Sequence, residues 1–273
     1  MSPPVPRAAT AAGTTERTES NRPGWIRSAW DQGGTLVVAV LLALSIRACI
    51  IEPFRIPSSS MFPTLLIGDH LFVNKLAYGA RIPFTDLRLP SFRDPARGDV
   101  VVFDVARNGS GIVPADRRPD LPRDTFVKRI VGMPGDRVEV RGGVLHLNGE
   151  PVPTKPVAEK FVDEHGRRLD EAIETLGEVD HGILDAPGSP GLDLRPIVVE
   201  PGRYLMMGDN RDNSRDSREW GTVAREDMRG PAMFLYWSWD SEGYGWLGML
   251  SPLTWWDLLV NKMRWERLGD PVR

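Results

Sequence analysis

Residues 35–51, TLVVAVLLALSIRACII, limit what this chain can fold into more than any other stretch. Arg47 is the only charged side chain in the run, and extension back through Trp30 gives roughly the 20 residues that a membrane-spanning helix needs. A buried core helix is a poor alternative, because the run follows directly on a polar tail. A cleaved signal peptide has a shorter apolar region and a small-x-small exit, which IRACIIEPFR lacks. Arg47 lies near the outer end, where its long stem reaches the headgroups. The run is therefore expected to be a transmembrane anchor. Residues 1–34 are rich in Pro, Thr, Ala and Arg with few large apolar side chains, and are expected to be disordered. Arg17, Arg22 and Arg27 precede the run, and only Arg55 lies in the matching stretch after it. That asymmetry predicts a cytoplasmic N-terminus and a domain of residues 52–273 outside the cell membrane.

The outer part reads mainly as β-strands. Residues 69–79, 98–105, 125–133 and 136–150 are short, rich in β-branched side chains and bounded by Gly, Pro or Asp, and a further strand, 203–209, follows the Pro-Gly turn signal at 201–202. Arg141-Gly142-Gly143 separates VEV from VLHL, as in a hairpin. Polar stretches near 106–124 and 151–196 read as insertions on this scaffold, and DEAIETLGE within the second is compatible with a turn or two of helix. A formal net charge of −3 with 26% charged residues offers no basic surface for nucleic acid. Cys49 is the single cysteine, so an intramolecular disulfide and a multi-cysteine zinc site are both excluded. Six of the nine tryptophans, at 237, 239, 246, 255, 256 and 265, crowd near the C-terminal end, as core residues or as an interfacial patch.

Common catalytic motifs are missing: there is no phosphate loop, no G-x-G-x-x-G, no H-E-x-x-H and no G-x-S-x-G. DNSRDS at 212–217 imitates a calcium loop, but Ser217 stands where glycine is needed and Val223 where the closing glutamate belongs. His70, His146, His165 and His181 show no ligand spacing. FRIPSSSMFPTL, just past the apolar run, offers serine hydroxyls without a histidine base. A lysine can serve instead if burial lowers its pKa. Among Lys75, Lys128, Lys155, Lys160 and Lys262, only Lys128 sits mid-strand in apolar sequence. Alternation places it with Phe126 and Ile130, and Arg129 with Val127 and Val131. On that pattern alone a structural salt bridge is an equal reading. Likewise GDNRDNSRDSREWG, 208–221, is either a solvated turn or a loop that forms a site.

Five segments in order resemble the bacterial type I signal peptidases, membrane-anchored Ser/Lys proteases. They are IPSSSMFPTL, GDHLFVNKLAYG, RGDVVVF, KRIVGMPGD and GDNRDNSRDSREWG, which together cover about a third of the chain. The resemblance implies a peptidase domain of coiled antiparallel β-sheets behind one transmembrane helix. It implies Ser60 as nucleophile, Lys128 as general base, Ser58 as oxyanion donor with the Ser60 N–H, and Ser214 as the residue orienting the lysine. Arg129, Asp209, Asp216 and Arg218 match charged supports. Phe54, Ile56, Met61, Leu65 and Val127 match positions lining shallow pockets for small side chains, and Ser59 stands at a spacer position. The implied partners are secretory preproteins, membrane lipid and a nearby secretion translocon, with no cofactor or metal. The substrate would lie extended beside residues 54–56. Two other readings stay open: a Ser/Lys autoprotease of a regulatory protein, and a non-catalytic membrane-anchored binding domain.

Overall fold

A computed structural model describes residues 24–82, 85, 87–109, 111–240 and 251–273, with the side chains of 24–32, 108, 252 and 253 left undescribed. Residues 1–23 of the expected tail, and Trp246, lie outside the described residues. Helix α1 spans Gly24–Cys49, beginning inside the stretch expected to be unstructured, immediately after Pro23. Its apolar side chains Leu36, Val37, Val38, Leu41 and Leu42 are exposed. Among the described residues, no helix is long and apolar enough to cross a membrane. The described residues up to Leu44 and residues from Ser45 onward are separate compact units.

The second unit is mainly antiparallel β. Its strands are β1 (Ile51–Arg55), β2 (Asp69–Asn74), β3 (Val100–Asn108), β4 (Gly111–Pro114), β5 (Arg123–Gly132), β6 (Arg137–Arg141), β7 (Val144–Leu147) and β8 (Glu150–Pro151). There follow β9 (Thr154–Pro156), β10 (Phe161–Val162), β11 (Arg168–Leu176), β12 (Val179–Asp185), β13 (Leu194–Val198), β14 (Arg203–Met207), β15 (Val223–Ala224) and β16 (Met228–Ser238). An eight-stranded sheet has the order β1-β2-β16-β3-β5-β14-β15, with β4 hairpinned onto β3. One smaller sheet is β13-β6-β7-β8; the other is β10-β11-β12, with β9 also on β11. All five segments read as strands contain one, and Arg141–Val144 closes the expected hairpin. Burial alternates along β2, with Asp69, Leu71 and Val73 inward, as a half-covered strand requires.

Two expectations need correction. Residues 168–176, which include most of DEAIETLGE, form β11 and no helix. Seven cross-strand pairs with β12, from Asp170↔Asp185 to Leu176↔Val179, outweigh the helix preference of isolated Glu, Ala and Leu. Nor are 151–196 and 106–124 mere decorations. The first carries β8 to β13, and the second completes the β3–β4 hairpin and starts β5. Strand β16 went unread because Pro231 sits inside it. Register breaks on both its neighbours accommodate the missing N–H.

Both faces of the large sheet are covered. Val101, Phe103, Ile130, Met206 and Trp220 pack in one cluster; Ile56, Met61, Leu65, Val102 and Val127 pack in another. Lys128 and Arg129, on opposite faces of β5, are therefore both buried, at 3% and 0% exposure.

Candidate active site

Strand β1 ends at Arg55 and the chain turns through Pro57 into a single 3-10 turn, Ser59–Met61. Met61 and Leu65 are fully buried and pin this turn against the sheet, leaving Ser58 and Ser60 on the rim. From β5, Lys128 Nζ reaches Ser60 Oγ at 2.6 Å and the Val127 carbonyl oxygen at 3.0 Å. The Phe126 ring lies 5.6 Å from the amine. Burial lowers the Lys128 pKa to about 8, with Asp216 and Asp209 opposing the drop and Arg218 adding to it. A lysine so placed is half neutral near pH 8. Once the ammonium proton is lost, the hydrogen bond reverses and the Ser60 hydroxyl donates to the amine.

The charged supports form two compact pairs behind the amine. Arg129 holds Asp209 through Nε at 2.9 Å and NH2 at 2.7 Å, and donates to the carbonyls of Gly98 and Arg273 at 2.8 and 3.0 Å. Thr64 Oγ1 donates to Asp209 at 2.6 Å. Burial pushes the Asp209 carboxyl up, but Arg129 outweighs it and holds the pKa below the ordinary range. Asp216 caps α2 (Ser217–Trp220) and accepts from Arg218 Nε and NH2, both at 2.8 Å. It also accepts from the Gly208 N–H at 3.0 Å. Burial raises the Asp216 pKa, and Arg218 and Gly208 bring it below the usual value. With every carboxylate oxygen engaged, these charges stay paired without claiming the Lys128 amine.

Ser214 is buried, but among the described residues its hydroxyl finds no well-formed hydrogen-bond partner, Lys128 included. It lies near enough to Asp216 to help hold that carboxyl down. Ser58 Oγ is 3.5 Å from Ser60 Oγ, on the exposed rim. Phe54, Pro57, Ser58, Ser60, Val127 and Lys128 line an open groove of about 410 Å³. Ile56, Met61 and Leu65 are different: they have no exposed surface and pack behind Phe54 and Val127.

Sequence reasoning missed the struts that hold the serine turn. Asn210 donates Nδ2 to the Ser59 carbonyl and its N–H to the Ser60 carbonyl, at 3.0 and 3.2 Å. Asn213 Nδ2 donates to Ser59 Oγ at 2.8 Å, so Ser59 is more than a spacer. Behind them, Arg211 grips Glu174 of β11, whose pKa falls to about 2 because Arg211 and His181 outweigh the upward push of burial. His181 of β12 is buried, 3.4 Å from Glu174 and 3.8 Å from Asp209. The density of Asn in residues 208–214 was the available signal. The β11–β12 support gave none, because it comes from the stretch read as an insertion. Among the described residues no cluster could hold a metal ion.

A rim hydroxyl bonded to a buried amine of lowered pKa, beside an open groove, is an arrangement able to support nucleophilic chemistry at serine. A family model described as signal peptidase, peptidase S26, matches residues 29–237. Signal peptidase I of Pseudomonas aeruginosa is 37% identical over 224 residues, covering 77% of this chain and 72% of the relative. Probable signal peptidase I-2 of Synechocystis sp. is 36% identical over 208 residues, covering 76% and 72%. The chain belongs to this family, the bacterial type I signal peptidases, and its reaction is the removal of signal peptides from secreted preproteins by serine-peptidase chemistry.

Proposed function

We propose that Ser60 is the nucleophile and Lys128 the general base. Neutral Lys128 takes the Ser60 proton as Oγ attacks the scissile carbonyl. The Ser58 hydroxyl and the Ser60 N–H receive the developing oxyanion. The lysine then protonates the leaving amine, and a water activated by the same amine releases the signal peptide from the acyl-enzyme. Ser214 turns towards Lys128 to fix it during these transfers, and the Arg129–Asp209 and Asp216–Arg218 pairs hold the frame. The preprotein lies extended along Phe54 and Val127, with small residues at the first and third positions before the cut. Residues 35–51 anchor the enzyme with its N-terminus in the cytoplasm, so that the groove meets preproteins at the outer membrane face near the translocon.

The observation that carries this reading is the 2.6 Å hydrogen bond between a surface-facing hydroxyl and a buried lysine. Purified enzyme incubated with a preprotein, followed by N-terminal sequencing of the product, tests it. Lys128→Ala and Ser60→Ala should each abolish cleavage, and their combination should be no worse. A folded Lys128→Ala enzyme that cleaves at the wild-type rate rules the mechanism out.

A further inference from the structure

The groove does not stop at the dyad. Its lining continues along the first half of β5 through Val127, Phe126, Thr125 and Asp124, with Arg107 and Ile112 of the neighbouring β3–β4 hairpin beside them. Arg107 and Asp124 pair at 3.0 Å, each about half exposed. Register fixes the place: Val105 faces Asp124 and Ala106 faces Arg123 across β3 and β5, so Arg107 follows directly at the strand end. Its own N–H donates to the Pro122 carbonyl, which holds this corner closed. From Lys128 back to Asp124 the strand rises about 13 Å, at roughly 3.3 Å per residue. A peptide extended beside it has the same rise, so its fourth or fifth residue from the scissile carbonyl arrives at the ion pair.

We propose that the Arg107–Asp124 pair is a specificity-determining filter that rejects large apolar residues at the fourth and fifth positions before the cut. The inference rests on the placement of those residues along Phe54 and Val127. A half-exposed ion pair contributes little to stability, so its conformational value is small. Its effect comes when a substrate covers it. A leucine seated there strips water from a guanidinium and a carboxylate and returns no hydrogen bond, whereas Ser, Gln or Asn replaces the lost water contacts. The filter thereby fixes how close to the scissile bond the apolar stretch of a signal peptide can end. It measures the length of the polar stretch before the cut, while the pockets near Ser60 read residue size.

The test uses the full chain in detergent micelles and a preprotein series carrying Ser or Leu at each of the fourth and fifth positions before the cut. Wild type should favour Ser by about tenfold in kcat/KM, mostly through KM, as expected for desolvated polar groups. Arg107→Leu combined with Asp124→Leu should level the two substrates. Arg107→Asp combined with Asp124→Arg keeps a pair and should keep the discrimination. If the leucine double variant still rejects leucine while demanding small residues at the first and third positions, the filter is wrong and the groove reading stands. If discrimination instead falls on residues after the cut, the placement of the substrate strand fails, and the filter with it.

Discussion

At the scale of the residue, Lys128, the proposed general base, is buried at a cost. Its folded pKa of about 8 lies below the ordinary 10.5, because burial disfavours the ammonium. Below pH 8 both folded and unfolded chains carry the proton, and the folded state bears the full penalty, roughly 3 kcal/mol for a shift of that size. Between pH 8 and 10.5 the unfolded chain holds the proton that the folded one has released, so this group makes stability rise with pH. Lys128→Met should therefore be inactive yet more stable than wild type at pH 6.5, and the difference should close as pH climbs through that window. Urea unfolding of both proteins across the range reads it directly. A gap that stays constant with pH would mean the amine is charged in the folded protein throughout. Cleavage by wild type should follow the same titration, rising with pH and levelling above about 8. The sequence made Lys128 legible because a lone lysine interrupted a β-branched strand. It left the pKa open, since the burial that lowers it is a tertiary property and the charges that modulate it, Asp216, Asp209 and Arg218, arrive from the far end of the chain.

At the scale of the element, two loops must meet with little tolerance. Gly208 is where they touch: a Cβ there would lie 2.5 Å from the Ser60 carbonyl oxygen and closer still to Ser214 Oγ. The oxygen belongs to the backbone and cannot rotate away. Gly208→Ala should displace the serine turn and lower kcat by about a hundredfold, the order of loss for a misplaced reacting group. Unfolding by urea should still be cooperative, because the core clusters are untouched. Undiminished kcat would show that the turn adapts and that its close fit is incidental. Strand reading from sequence worked where a single segment carried its own signal, alternation in β2 and a short, largely apolar run bounded by turn residues in β5 and β14. It failed at β16, whose Pro231 hides a central strand, and at β11, whose helix-forming side chains become a strand only through β12. Such pairings are non-local, and no window of sequence contains them. The same limit applies at the site. The resemblance could point to Ser58, Ser60 and Lys128 because each lies within a recognisable segment, whereas Glu174 and His181 lie in none.

At the scale of the whole molecule, exposed aromatic surface gathers in the C-terminal segment. Trp256 is 70% exposed, Trp255 and Trp265 are about half exposed, and Val260 is open beside them. Trp237 and Trp239 stack edge to face at 5.8 Å further in, so the tryptophans divide between packing and surface. Aromatic rings of this kind favour the headgroup region of a bilayer. Residues 45–273 form their own compact unit, and the protein expressed without 1–44 should bind vesicles and shift tryptophan emission to the blue. Trp255→Ser with Trp256→Ser should weaken that binding, and emission unchanged at every lipid concentration would show the patch to be idle. The reach of Arg129 has another consequence, for the timing of biosynthesis. Its guanidinium is held by groups at positions 64, 98, 209 and 273. A ribosome delivers Ser60 and Lys128 early, more than a hundred residues before the last of these groups. Until Asp209 has been made and has folded back, the buried Arg129 cation lacks its counter-charge and the strand beside it cannot settle. With Ser60 and Lys128 in the roles proposed, the growing chain carries both groups while remaining inert, and it becomes competent for hydrolysis only once its late segments have folded back onto the early ones.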